Sequence, residues 1–143
     1  MKIARYLHNG LPHVGVVNNH GRLLNLPTTL SVLEVLALPR VQRDRLEGQA
    51  GRYFNTSIDK VHFLPPVEPR GIRDFVVFEK HIAGMKKSEG GDGKIPSQWF
   101  DVPVFIFGNP WSLIGATDDM PMPPLTQKLD FELEIGMIIK KPA

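Results

Sequence analysis

The stretch that most constrains the fold is Leu129-Asp130-Phe131-Glu132-Leu133-Glu134-Ile135-Gly136-Met137-Ile138-Ile139. Its first seven residues alternate between apolar and acidic side chains, and a period of two is typical of a β-strand. Asp130, Glu132 and Glu134 would then share one face, with about 6 to 7 Å between neighbours along it. The stretch predicts a strand with one acidic face and one apolar face.

Two environments suit such an acidic face. Neighbouring carboxylates repel each other, and a hard cation with a preference for oxygen ligands, such as Mg²⁺, Mn²⁺ or Ca²⁺, relieves that repulsion. A half-exposed strand whose acids are solvated is the alternative. The segment alone leaves both interpretations open.

Composition limits the class of protein. The 143 residues are 42% apolar and 22% charged, which is typical of a globular chain with one core, or with a small domain and part of another. The 17 basic and 15 acidic residues give a net charge of +2 without a dense basic tract, so no nucleic-acid partner is expected. There is no cysteine, which excludes disulfides and thiolate zinc sites. No segment resembles a signal peptide or a membrane span, and we predict a cytoplasmic protein without a membrane partner.

The first 26 residues predict a small set of strands. Apolar segments lie at Lys2–Leu7, Val14–Asn18 and Leu23–Leu26. Asn9-Gly10 and Asn19-His20-Gly21 separate them and supply the positive φ angles of tight hairpin turns. We expect an antiparallel arrangement here.

A helical period follows. Ser31 and Glu34 have the spacing of a capping box, which predicts that a helix begins at this point. Pro39 should end that helix, because it lacks an N–H group and clashes with the preceding turn. A second short helix is predicted through Val41–Gln49.

The middle of the chain predicts a domain boundary. Val61–Pro69 looks like a strand that runs into an extended proline connector. We place the boundary near residue 66, between a small amino-terminal domain at 1–66 and a second domain at 67–143. In the second domain, Arg73–Lys87 predicts a strand or turn leading into a helix, and Val102–Phe107 predicts a strand.

The carboxyl end suggests a truncated domain. The apolar run stops at Lys140-Lys141-Pro142-Ala143, where a sheet would need its next strand. We expect the open edge to be covered by a missing remainder, by a partner chain or by a dimer.

Few other residues suggest chemistry by their spacing. Asp74 is a possible third oxygen ligand, and His81 is a possible general base near a metal-bound carbonyl or water. The remaining histidines, His8, His13, His20 and His62, show no ligand spacing, and no role is assigned to them. Motifs of P-loop proteins, zinc proteases and serine hydrolases are absent from the sequence.

Four segments together resemble the fumarylacetoacetate hydrolase family, in the order and at separations similar to those in the family. They are Leu64–Val67, Ile72–His81, Val104–Pro110 and Leu129–Gly136. The resemblance is strongest from about residue 61 onward, and the first sixty residues are similar to the small amino-terminal domain of that family. Each motif is weak by itself, whereas the four in sequence are fairly specific.

The resemblance implies a mostly β (α+β) fold, in which the small amino-terminal domain precedes the first part of a mixed β-sandwich roll, usually dimeric. It places Asp74, Glu132 and Glu134 at metal-ligand positions for Mg²⁺, Mn²⁺ or Ca²⁺. His81 matches the histidine that activates water in the family. Two positions depart from the family: Val76 stands where tyrosine is frequent, and the chain ends before a further aspartate ligand.

The implied activity is metal-dependent hydrolysis of a carbon–carbon bond in a β-diketone or acylpyruvate-type acid. The metal polarises the dicarbonyl and stabilises the enolate, while the base delivers hydroxide to the other carbonyl. Decarboxylation or isomerisation by the same family chemistry is one alternative. A truncated, non-catalytic remnant that needs a second chain is another, and a small β-rich binding module with solvated acids is the third.

Overall fold

The computed structural model of the protein describes residues 1–139. These form two compact units, one made of Met1–Glu68 together with the described part of the segment that begins at Ile114, the other made of Pro69–Leu113. Both units mix helices with antiparallel strands. The prediction of one domain at 1–66 and another at 67–143 remains a prediction.

The first unit is built on a five-stranded antiparallel sheet in the order β4-β3-β2-β1-β5. The strands are β1 (Ile3–His8), β2 (Leu11–Val17), β3 (Arg22–Asn25), β4 (Asn55–Ser57) and β5 (His62–Phe63). The three predicted amino-terminal strands are therefore confirmed, while the short strand β4 was not predicted.

The predicted turn between β1 and β2 forms as expected. Its two residues, Asn9 and Gly10, have φ angles of 51° and 75°, and His8 pairs directly with Leu11 on either side. Both angles lie in the left-handed region that asparagine and glycine tolerate best. The turn therefore sets the register of the whole hairpin.

One side of the sheet packs against a helix to form the core. The helix α1 (Val32–Ala37) has the predicted capping box, since the Ser31 hydroxyl accepts from the Glu34 N–H while the Glu34 carboxylate accepts from the Ser31 N–H. A second helix, α2 (Arg40–Glu47), follows directly. The buried cluster consists of Val14, Val16, Leu26, Val32 and Val35.

The opposite side of the sheet buries Tyr6 and Leu23 completely. Gly15 lies beneath both, and a Cβ atom there would come within 2.9 Å of the Leu24 carbonyl oxygen and 3.2 Å of the Tyr6 ring. The Tyr6 hydroxyl donates to Asn25 Oδ1 at 2.7 Å. Burial raises the pKa of Tyr6 to about 12.

The second unit contains a two-stranded ribbon and two helices. The ribbon pairs β6 (Ile72–Phe75) with β7 (Phe105–Gly108), and the helices are α3 (Glu79–Ser88) and α4 (Gln98–Asp101). The predicted strand and helix within 73–87 are confirmed. The helix α4 was not predicted.

The strand predicted at residues 129–139 is wrong for this structure. No strand ladder among the described residues includes the segment, and its apolar side chains face solvent, with Phe131 82%, Leu133 94% and Ile135 93% exposed. Alternating apolar and acidic residues would give a strand two different faces. A strand also requires a neighbouring strand that forms hydrogen bonds with its backbone N–H and C=O groups. No described segment supplies that neighbour.

Candidate functional site

Glu132 and Glu134 form the acidic pair of the extended segment at 129–139. At least one carboxylate oxygen of Glu132 lies within 4.8 Å of one of Glu134, and both side chains are exposed. Such a separation suits two monodentate carboxylates that share one divalent ion with oxygen ligands at about 2.0 to 2.6 Å. The structure therefore brings together the two predicted glutamate ligands without a strand ladder.

Asp130 does not belong to this pair. Its Oδ1 accepts a hydrogen bond from the N–H of Phe131 at 2.8 Å, which directs this carboxylate to the adjacent backbone. The prediction from a regular strand grouped Asp130 with both glutamates. Because the backbone here is not a regular strand, the Asp130 carboxylate contacts the adjacent backbone instead of joining the two glutamates.

Asp74 belongs to the second unit. It lies on β6 opposite Ile106 of β7, and its side chain is half-buried. The neighbouring residues of β6, Arg73 and Phe75, occupy the other face of the ribbon, where the Arg73 guanidinium lies 4.0 Å from the centre of the Phe107 ring. The ribbon therefore presents the Asp74 carboxylate on the face opposite to its aromatic residues.

His81 lies in the first turn of α3, within the same unit as Asp74. Its side chain is exposed, whereas the next residue, Ile82, is buried. The helix is anchored by Ile82, whose side chain lines a cleft of about 230 Å³ together with Met85 and Trp99. The Trp99 indole N–H donates to the Val76 carbonyl at 2.8 Å and closes one end of this packing.

One contact between distant side chains was not predicted from the sequence. His62 Nε2 lies 3.3 Å from Asp118 Oδ1, and Asp118 Oδ2 accepts from the Gly115 N–H at 2.7 Å. Gly115 in turn passes so close to the Phe63 carbonyl that no side chain fits. The contact holds the start of the carboxyl-terminal segment against β5, and no local pattern predicts it because the two residues are far apart in the sequence.

The donor set fits the predicted kind of metal. All three predicted ligands, Asp74, Glu132 and Glu134, offer carboxylate oxygens, which hard divalent ions such as Mg²⁺, Mn²⁺ and Ca²⁺ prefer. Neither cysteine nor histidine is needed in this set. A magnesium-type ion would retain several waters there.

Among residues 1–139, no helix is long and apolar enough to cross a bilayer.

Comparison with known proteins agrees with the sequence motifs. A family model described as fumarylacetoacetate (FAA) hydrolase, C-terminal, matches residues 71–143, just over half of the chain. The matched region contains all four predicted site residues. No curated protein and no solved structure matches the chain.

Proposed function

Because the chain belongs to the fumarylacetoacetate hydrolase family, we propose that it contributes to metal-dependent cleavage of a carbon–carbon bond in a β-diketone or acylpyruvate-type acid. The family includes hydrolase, decarboxylase and isomerase types. The observation that favours metal-dependent chemistry is the proximity of the Glu132 and Glu134 carboxylates within the matched region. What separates this pair from an ordinary exposed acidic pair is that it lies inside the region matched by the family model.

In this proposal Glu132, Glu134 and Asp74 hold a Mg²⁺, Mn²⁺ or Ca²⁺ ion. When bound, the ion supplies Lewis-acid polarisation of the dicarbonyl group. The three carboxylates would hold the ion, and their three negative charges would exceed its charge of +2. Their oxygen-only donor set selects a hard ion over a softer one.

His81 is proposed as the general base. Its imidazole accepts a proton from water, whose oxygen adds to the substrate carbonyl carbon. The bond between that carbon and the adjacent methylene then breaks, the electron pair leaves on the methylene fragment as an enolate, and a proton completes the second product. One water is consumed, and two carboxylic acids are formed.

The partners and the wider fold belong to the same proposal. The substrate is a small dicarbonyl acid, and the predicted second domain at 67–143 contributes to a mixed β-sandwich roll that acts as a homodimer. The support is the family match together with the exposed apolar face at 129–139. The predicted cytoplasmic location remains a prediction.

The metal site is tested by titrating the full chain with Mg²⁺ or Mn²⁺ in a calorimeter. Glu132→Gln and Glu134→Gln should each abolish binding, and Asp74→Asn should weaken it. Asp130→Asn is the matched control, because it removes the same charge from the same segment while its carboxylate serves only a local backbone contact. Equal loss in Asp130→Asn would show a general charge effect and overturn the site.

The reaction is tested separately with an acylpyruvate, by following the loss of its enol absorbance and by identifying the products. His81→Asn should lower the rate by about 10²-fold or more while Mg²⁺ affinity is retained. Two acids as products indicate hydrolysis, carbon dioxide indicates decarboxylation, and an unchanged formula indicates isomerisation. Metal binding without turnover would contradict the enzymatic part and leave the remnant interpretation.

A further inference from the structure

A second cluster of potential ligands lies on the β1–β2 hairpin. His8 and His13 are five residues apart in the sequence, but the hairpin register places His8 opposite Leu11 and His13 opposite Tyr6. The two histidines are therefore diagonal neighbours on the same face of the sheet. Their ring centres are 5.7 Å apart, with an interplanar angle of 71°.

Aromatic neighbours hold both imidazoles in place. The Phe54 ring lies 4.0 Å from the centre of the His8 ring, and the Tyr6 ring lies 5.9 Å from that of His13. Tyr6 and Phe54 are themselves stacked at 6.3 Å, and Tyr6 is fixed by its bond to Asn25. Both histidines are half-buried, so a ligand would immobilise them at a smaller entropic cost than two fully exposed histidines.

The separation of the rings suits one shared ion. A Zn–N bond of about 2.0 to 2.1 Å places the metal about 3 Å from the centre of a ligating ring, so two rings on one tetrahedral ion have centres about 5 Å apart. The observed 5.7 Å differs from this by less than 1 Å. A small rotation of each side chain closes the difference.

One ring nitrogen of His8 can be assigned as a hydrogen-bond acceptor. The Asn9 amide nitrogen lies 3.3 Å from His8 Nε2, and when this amide donates, Nε2 is the unprotonated nitrogen of the ring. Asn9 is exposed, so it can be displaced by a ligand without opening the core.

We propose that His8 and His13 form a two-imidazole binding site for a borderline divalent ion of the Zn²⁺ type, with water as the remaining ligands. Imidazole pairs favour Zn²⁺, Ni²⁺ and Cu²⁺ over Mg²⁺ and Ca²⁺. The site uses none of the carboxylates of Asp74, Glu132 and Glu134, and its imidazole ligands favour a softer ion than those carboxylates do. Binding would tie β1 to β2 and stabilise the hairpin.

The test uses Zn²⁺ alone with the full chain, in equilibrium dialysis and in thermal unfolding. In a Glu132→Gln background, which removes a proposed carboxylate ligand, Zn²⁺ should still bind. His8→Asn and His13→Gln should each weaken that binding by about tenfold or more. His20→Gln is the control, because it also removes one histidine but lies in the exposed turn between β2 and β3.

Nuclear magnetic resonance of the imidazole groups gives a second readout that needs no substitution. Zn²⁺ should shift the resonances of His8 and His13 and leave those of His20 in place. Unchanged affinity in either His8→Asn or His13→Gln, or an equal loss in His20→Gln, would overturn the site. Loss of Mg²⁺ binding in Glu132→Gln with retained Zn²⁺ binding separates this site from the proposed carboxylate site.

Discussion

The β1–β2 hairpin and the segment at 129–139 have related sequence patterns and different structures. Both contain residues typical of strands, but the hairpin forms six residue pairs, and the segment belongs to no ladder among the described residues. The difference lies in the partner. Asn9-Gly10 folds β2 back onto β1 within two residues, whereas no tight turn among the described residues joins 129–139 to a neighbouring strand. The alternation of apolar and polar residues therefore determines which side chains would share a face, whereas a tight turn determines which strand pairs with which.

The largest expected difference comes from adding side-chain volume to one glycine in each region. Gly15→Val should lower the free energy of unfolding by about 3 kcal/mol, because its Cβ would lie 2.9 Å from the Leu24 carbonyl oxygen and 3.1 Å from the Leu23 side chain. Gly136→Val should change it by less than about 0.5 kcal/mol, since no atom lies within 4 Å of a Cβ there. Chemical denaturation of both variants measures the difference. Similar losses would mean that the segment at 129–139 is packed after all.

The features that the sequence predicted correctly depend on neighbours in the chain. The Asn9-Gly10 turn needs only the conformational tolerance of two residues, and the capping box at Ser31 needs a partner three residues away. Local chemistry of this kind is visible in a sequence without knowledge of the fold. The family was also identified from ordered motifs, and the match to residues 71–143 confirms it.

The features that were missed depend on partners far away in the chain. The polar residues of β4 (Asn55–Ser57) carry no strand pattern, and they become a strand because β3 offers an edge. The contact between His62 and Asp118 likewise has no local signal. His8 and His13 are an intermediate case, because their proximity follows from the hairpin register although their linear spacing does not suggest it.

The candidate site shows the same division. The sequence predicted correctly that Glu132 and Glu134 lie close together, because residues two apart are near in any extended backbone. It wrongly predicted a regular strand around them. Whether Asp74 and His81 join this pair depends on long-range packing, so their roles remain part of the proposal.

Alkaline pH should lower the free energy of unfolding of the five-stranded sheet, because Tyr6 is buried in it. Burial raises the pKa of Tyr6 to about 12, while an unfolded tyrosine titrates near 10. The unfolded state therefore loses its proton first as the pH rises, and the stability that is present below about pH 10 is lost progressively toward pH 12. The loss should reach about 2 to 3 kcal/mol, measured by denaturation at a series of pH values.

The two tyrosines provide a matched control for this titration. Tyr6→Phe should remove the alkaline loss, and it should also cost about 1 kcal/mol at neutral pH through the bond to Asn25. Tyr53 is 81% exposed, so Tyr53→Phe should leave the alkaline loss intact. A loss that persists in Tyr6→Phe would assign the transition to another group.

The smallest expected change in stability comes from removing the Ser31 cap, whose hydrogen-bond partner Glu34 is only three residues away. Ser31→Ala should lower the free energy of unfolding by about 1 kcal/mol, because the cap at the start of α1 disappears. Ser97→Ala is the control, since Ser97 precedes α4 without a side-chain capping bond, and it should have little effect. Equal losses would mean that the capping geometry at Ser31 does not stabilise α1.

The same capping box should also respond to acid, with a sign that its hydrogen bonds determine. The Ser31 backbone N–H, and then its hydroxyl, hold the pKa of Glu34 below its ordinary value. The stabilising contribution is therefore present above the unfolded pKa of Glu34 and is lost as the pH falls through the lower, folded value. Glu34→Gln should flatten this part of the acid unfolding curve, as followed by circular dichroism. An unchanged slope of the acid unfolding curve would show that the Glu34 carboxylate does not stabilise the start of α1. The Ser31 side chain alone would then account for the local signal that begins this helix.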